Sequence, residues 1–450
     1  MDTPSGSRRH PWNPDRAWAD PLIALLAVVA LFLSSLILAR RQSPPPAVKA
    51  GLAGRIAELP FAAAKAFPAA RTALLGRLKH DPGAGLVEAW DRAALGVLVA
   101  EEGDLEGGRK LALDGTLPGP AQAAFGRCWG QAFEGASAVS EGDRSETRTA
   151  LGNGWAAAVL DARLEGKGGR GTGPSLQAAR DQAVRRLAML ALASLLLMGG
   201  CLAGVAFGVY LAVSRPERPS VLPGAAELSP RALALAFLAW FLGLLAAGTL
   251  VATLAAKAPA LAPFSIPLAY ALHAAWGTFL ICSARGLGFR QLWLALTPES
   301  TGRALLWGAG FLALAIPAVL LTGLLLGPFL KHFSPPQREL LEALARLRSP
   351  LALLLTGGTV AFLAPAFEEL LFRGTLLPWA AQRWGWILGL LATSVLFGLM
   401  HLQLAGLPTL TVLGLVLGLA FRRGGNLWTP ILVHGLWNGG VFLFLRALSA

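Results

Sequence analysis

Eight apolar runs follow one another through the second half of this chain, and they restrict it to one class of fold. The runs are Leu187–Val213, Ala232–Ala256, Ala260–Ala284, Ala304–Phe329, Leu351–Phe372, Trp386–Leu402, Leu407–Phe421 and Leu427–Leu445. A helix needs about 20 residues to cross a hydrocarbon core, and most of these runs are that long. Inside lipid every backbone N–H and C=O must find its partner within the protein, which favours helices for such runs. Composition agrees, with 54% hydrophobic residues, only 14% charged and a mean hydropathy of +0.55. A soluble chain of this length needs more charge to cover its surface. The expected fold is therefore all-α, a polytopic membrane bundle with an eight-helix core. The seventh run, Leu407–Phe421, is short for a full crossing.

Upstream the chain changes character twice. Arg8, Arg9 and Arg16 lie in a polar, Pro-containing tail, and Leu22–Ala39 is apolar and closed by Arg40 and Arg41. That run is long for the apolar part of a signal peptide, and no small-x-small site precedes Arg40. Residues 1–41 thus read as a tail and a retained transmembrane anchor. Pro44, Pro45 and Pro46 open a segment of ordinary charge density, in which Leu86–Ala100 and Ala121–Phe133 have helical spacing of apolar residues. Residues 42–185 are expected to form a small, mostly helical soluble domain, joined through the Gly-rich stretch Gly166–Pro174 to a membrane domain at 186–450. Within the latter, Arg338–Arg346 alternates Leu with charge at helical spacing and suits the membrane surface.

The formal net charge is +13 and the pI about 10.7. The arginines stand mainly at the ends of apolar runs, where they meet lipid headgroups and set topology. No basic stretch alternates with aromatics as single-stranded nucleic acid requires. Membrane lipids, not nucleic acid, are the expected partners of this charge. The basic loops around Arg285–Arg303 and Arg422–Arg423 favour an N-terminus on the inner side, which puts 42–185 outside the cytoplasm. The Ala-, Leu-, Gly- and Arg-rich usage suits a bacterial inner membrane. Cys128, Cys201 and Cys282 are too far apart in sequence for a disulfide framework or a thiolate zinc motif.

Against this apolar background a few polar residues stand out. Glu368 and Glu369 lie in Ala364-Pro-Ala-Phe-Glu-Glu-Leu-Leu-Phe-Arg373. A charged residue near the centre of a membrane helix costs about 2.5–3.5 kcal/mol on insertion scales. Glu369 and Arg373 are four apart on one helix face and can pair. Glu368, rotated by about 100°, lacks that partner and is left available as a general base. Pro365 is expected to kink this helix and free backbone carbonyls. His401 closes the next run, and His434 and Asn438 lie one turn apart on the last, both able to donate to an oxyanion. Taken alone, His401 reads more readily as a satisfied core group, and the His434–Asn438 pair equally well as a polar bond between helices. His273, alone in its run, is given that structural reading. Together they gather on three helices.

Glu368-Glu369-x-x-x-Arg373, Phe397-x-x-x-His401 and His434-x-x-x-Asn438 resemble, in order and spacing, the three motifs of the CAAX-processing and bacteriocin-processing (CPBP) intramembrane peptidases, a family related to the type II CAAX prenyl endopeptidases. The resemblance covers about residues 187–450 and implies an eight-helix peptidase domain. It implies that Glu368 activates water with His401 assisting, that His434 and Asn438 hold the oxyanion, and that Glu369 and Arg373 brace the site. Phe397 reads as packing. The resemblance favours a metal-free mechanism, and the chain lacks a His-Glu-x-x-His helix; Glu368, His401 and His434 nonetheless form a donor set that zinc accepts. The implied substrate is a peptide or protein, lipidated or membrane-anchored. The alternative from another class is a catalytically silent membrane scaffold or maturation factor that binds partners through residues 42–185.

Overall fold

The computed structural model describes residues 89–113, 119–151, 155–166, 174–214, 228–288, 290, 292, 301–330, 347 and 349–449, together with 23, 27, 30 and 31. Among the described residues there are helices and no strands. The chain divides into two compact units, one of Pro44–Leu195 and one of Met1–Ser43 with Leu196–Ala450. Most of the expected anchor Leu22–Ala39 lies outside the described residues, as do Pro44–Pro46, residues 167–173 and the amphipathic piece Arg338–Arg346. The four described positions of the anchor are helical, and Ala30 is buried against the core of its unit.

The first unit contains α1 (Ala89–Glu101), α2 (Leu105–Leu113), α3 (Gly119–Phe133), α4 (Glu141–Leu151) and α5 (Trp155–Leu164). Leu95, Leu98, Phe125, Cys128, Trp129 and Leu160 form its centre, each nearly inaccessible to solvent. The thiol of Cys128 accepts a hydrogen bond from Thr147 Oγ1 at 3.4 Å, and burial pushes its pKa up. Arginine–carboxylate pairs link the helices at the surface, Arg127 with Asp143 across α3 and α4 and Arg163 with Glu101 across α5 and α1. The apolar spacing in the sequence pointed to α1 and α3. It did not single out α4, whose residues are mostly polar, or α5, which is apolar almost all round and so has no distinct face.

The helix α6 (Pro174–Val213) runs from the first unit into the second. The remaining helices are α7 (Pro230–Lys257), α8 (Ser265–Arg285), α9 (Thr301–Leu330), α10 (Pro350–Trp384), α11 (Trp386–Met400), α12 (Leu407–Gly424) and α13 (Trp428–Ser449). Each of the eight apolar runs is therefore helical. Seven of these helices are long and apolar enough to cross a membrane, and the protein is an integral, multi-pass membrane protein. The short one is not α12, which reaches 18 residues, but α11, with 15. At about 1.5 Å per residue, α11 spans roughly 22 Å.

Local sequence explains several helix ends. Both α7 and α10 begin with Ser-Pro: Ser229 Oγ accepts from Ala232 N at 3.1 Å and Ser349 Oγ from Ala352 N at 3.3 Å. In each case proline follows at the first helical position, where its missing N–H costs nothing. Gly385, at φ 80° and ψ 162°, separates α10 from α11 in a conformation that a side chain would oppose.

The course of α10 differs from the sequence reading, which ended this run at Phe372. The helix continues to Trp384 because two π-helical turns, Thr359–Leu363 and Phe372–Leu376, are built into it on either side of Glu368 and Glu369. The first ends at Leu363, two residues before Pro365, and Ala364 N–H reaches back five residues to Thr359 O. Such a wider turn accommodates a residue that cannot donate to the usual carbonyl. Packing then fixes the bundle around this helix. In it α13 lies on the first π turn, α11 on α12, and α9 on both α12 and α13. Phe311, Phe372, Phe397, Leu417, Phe421 and Val433 fill the interior. At one end of the bundle Arg423 donates to Ser214 O and Leu211 O at the close of α6, and Arg383 to Leu228 O just before α7. Arg423 there complements the exposed carbonyls at the C-terminus of α6.

Candidate active site

The carboxylate of Glu369 is the centre of the polar cluster. It is completely buried, and its Oε1 accepts from Arg373 Nη1 at 2.9 Å and from His434 Nδ1 at 2.9 Å. Arg373, 3% exposed, uses its other terminal nitrogen on the carbonyl of Gly414 in α12, at 2.8 Å. The guanidinium therefore ties α10 to α12 while neutralising the carboxylate, and the carboxylate ties α10 to α13. The other oxygen of Glu369 has no hydrogen-bond partner among the described residues.

His434 connects the two glutamates. Its Nδ1 faces Glu369 and its Nε2 lies 3.8 Å from Glu368 Oε2. An ionised carboxylate only accepts, so the proton on Nδ1 is fixed by Glu369 and Nε2 is the nitrogen turned toward Glu368. Glu368 keeps 15% of its side chain exposed, in contrast to its neighbour. The sequence reading assigned Glu369 to Arg373 alone; in the fold that carboxylate is shared with His434, and Glu368 has an imidazole beside it.

The aromatic ring of Phe397, fully buried, lies against both histidines and the arginine of the cluster. Its centroid is 4.9 Å from that of His401, 5.5 Å from that of His434 and 5.2 Å from that of Phe372, all edge-to-face, and the Arg373 guanidinium lies 4.8 Å over it. Such contacts add about 0.5–1.5 kcal/mol for aromatic pairs beyond area burial. His401 Nδ1 donates to Phe397 O at 2.8 Å, since a carbonyl can only accept. Asn438, one turn beyond His434 and half-buried, makes no side-chain hydrogen bond to the described residues. His273 is placed apart from this network, accepting from Trp240 Nε1 at 3.1 Å within a group of rings that includes Phe367.

The fold thus brings Glu368, Glu369, Arg373, Phe397, His401 and His434 into one connected group, with Asn438 on the adjoining turn. Phe397 and the Gly414 carbonyl are the members that motif reading undervalued. The position of Phe397 one turn before His401 was the available signal; nothing in the sequence marks Gly414. Among the described residues no three His, Cys, Asp or Glu side chains stand close enough together to hold a metal ion. The trio Glu368, His401 and His434 is not among such groups.

Part of the chain is similar to known proteins. Residues 350–440, from the start of α10 into α13, match the family described as type II CAAX prenyl endopeptidase Rce1-like. An Escherichia coli protein described as an uncharacterized 24.3 kDa protein is 35% identical over 133 residues, which are 28% of this chain and 58% of that relative. The chain therefore spans little more than half the length of the relative that it matches. No solved structure matches it.

Proposed function

We propose, from the match of residues 350–440 to the type II CAAX prenyl endopeptidase family, that this chain is an intramembrane endopeptidase acting on a membrane-anchored or lipidated peptide. One observation carries the reading: His434 stands between two glutamates, 2.9 Å from the buried one and 3.8 Å from the partly exposed one. The four groups Glu368, Glu369, Arg373 and His434 sum to zero charge when both carboxylates are ionised and His434 is an imidazolium. A neutral sum is what a site of low dielectric favours.

In that state His434 donates from Nδ1 to Glu369 and presents Nε2–H toward the reaction centre. Glu368 takes a proton from water as the water oxygen bonds to the scissile carbonyl carbon. The carbonyl oxygen becomes an oxyanion and accepts hydrogen bonds from His434 Nε2–H and the Asn438 amide. Collapse breaks the C–N bond, and Glu368 returns its proton to the leaving amine. His401, with Nδ1 held by the Phe397 carbonyl, orients the water through Nε2. A helical bundle rather than a β-barrel fits the plasma membrane of a bacterium.

The test works without a defined substrate. Membranes from cells producing the wild-type protein or Glu368→Gln are compared by sequencing newly formed protein N-termini. Termini present only with the wild type, and absent also with His434→Ala, are expected. Identical sets in all three strains would overturn the proposal.

A further inference from the structure

Helix α13 carries two adjoining stripes. His434 and Asn438, four apart, form one; Gly435 and Gly439, turned by about 100°, form the next. The glycine stripe faces Ala361 in the first π turn of α10. A Cβ placed on Gly435 would run into the carbonyl oxygen of Ala361, and a Cβ on Gly439 would stand 3.1 Å from the Ala361 Cβ. Gly440, on the same helix, has open space around it. Pro365 bears on this arrangement. Lacking an N–H, it cannot supply the usual donor to the carbonyl four residues earlier, which is that of Ala361. The carbonyl against which α13 is seated is thus one that an ordinary α-helix would have bonded within itself.

We infer that Gly435 is a positioning residue, whose missing side chain sets the approach of α13 to the π turn and thereby the contacts of His434 with Glu369 and Glu368. The chain of causes is short. Pro365 and the π turn shape the seat, Gly435 fits it, and the next side chain along α13 is the histidine that bridges the two carboxylates. A methyl group at 435 meets backbone, which cannot turn aside as a side chain can. It displaces α13, and His434 moves with it. A methyl group at 439 meets only another methyl group.

This difference provides the test, made on the purified full-length protein. Diethyl pyrocarbonate modifies histidine, and peptide mass spectrometry reads the rate at each position. In the wild type His434 is only 2% exposed, with Nδ1 held by Glu369 and Nε2 3.8 Å from Glu368 Oε2, so its modification is slow. Gly435→Ala is expected to raise the rate at His434 severalfold while leaving His273 unchanged. Gly440→Ala should have no effect. Gly439→Ala should raise the rate less, and adding Ala361→Gly should restore it, because that obstruction is a side chain. Ala361→Gly should not restore Gly435→Ala, where the obstruction is a carbonyl common to every residue.

Turnover of the terminomics substrates should fall with Gly435→Ala, by about 10²-fold for a displacement of 1 Å. This arm rests on the peptidase reading, whereas the modification arm does not. Loss of that reading through Glu368→Gln would therefore leave the positioning argument standing. If Gly435→Ala does not fold, the Gly439→Ala and Ala361→Gly pair decides. Wild-type modification of His434 in Gly435→Ala, equal rescue of both glycine variants by Ala361→Gly, or no rescue of Gly439→Ala would overturn the inference.

Discussion

Two arginine–carboxylate pairs in this protein have nearly the same chemistry and opposite surroundings. In the first unit Arg127 and Asp143 meet at 2.6 Å with the arginine side chain 57% exposed. In the membrane unit Arg373 and Glu369 meet at 2.9 Å with 3% and 0% exposed. Water solvates the first pair whether or not it forms, so the contact changes little; exposed pairs often contribute nothing measurable. The second pair has no water to return to. Each member is tolerable only because the other is present, and each also holds a different helix: Arg373 through Gly414 O, Glu369 through His434. Burial turns a replaceable contact into a junction.

The sharpest way to break the comparison is to remove one member of each pair. Arg373→Met removes the guanidinium from a buried group that is otherwise neutral in sum, leaving one excess negative charge, which is expected to destabilise the protein by about 3–5 kcal/mol. Thermal unfolding in detergent measures this, and Glu369→Gln in the same chain should recover much of the loss. Next in size is an effect on activity without one on stability. Glu368→Gln should reduce turnover by at least about 10²-fold with an almost unchanged melting temperature, because Glu368 lies outside the buried pair. A matching fall in melting temperature would assign Glu368 to the scaffold.

Smaller still is the response of the exposed pair. Arg127 holds the Asp143 carboxyl below its ordinary range through its hydrogen bonds. A group with a folded pKa below its unfolded one stabilises the fold above the unfolded value, and loses that contribution as pH falls through the folded value. Arg127→Met should therefore melt slightly below the wild type at neutral pH, where the carboxylate is ionised. The two should differ only where the wild type retains its carboxylate, and converge at lower pH. Melting curves followed from pH 7 to pH 2 would reveal the window.

The same contrast explains what could be read from the sequence. The eight runs, and with them the all-helical membrane fold, were legible because lipid imposes length and apolarity residue by residue. The pairing of Glu369 with Arg373 was legible because four residues make one helical turn. His434 as the second partner of Glu369 was not, since 65 positions separate them and only packing of α13 on α10 brings them together. Nor were the π turns: the apolar run ends at Phe372, yet a wider turn at Phe372–Leu376 carries α10 to Trp384. Phe397 looked like filler in the sequence. Its four neighbours, His401, His434, Phe372 and Arg373, come from three helices, and no local pattern announces that meeting.

The brevity of α11 has a consequence for the surrounding bilayer. A helix of roughly 22 Å in a hydrocarbon layer of about 30 Å leaves a hydrophobic mismatch, which lipid relieves by thinning beside it. His401 caps the C-terminal end of that helix, so the thinned lipid draws headgroups and their water toward the site. On the peptidase proposal, the membrane itself would then govern how readily water reaches Glu368. In vesicles of graded acyl length, turnover should rise as the chains shorten toward the span of α11 and fall as they lengthen. A rate independent of bilayer thickness would mean that water reaches the site by a route within the protein.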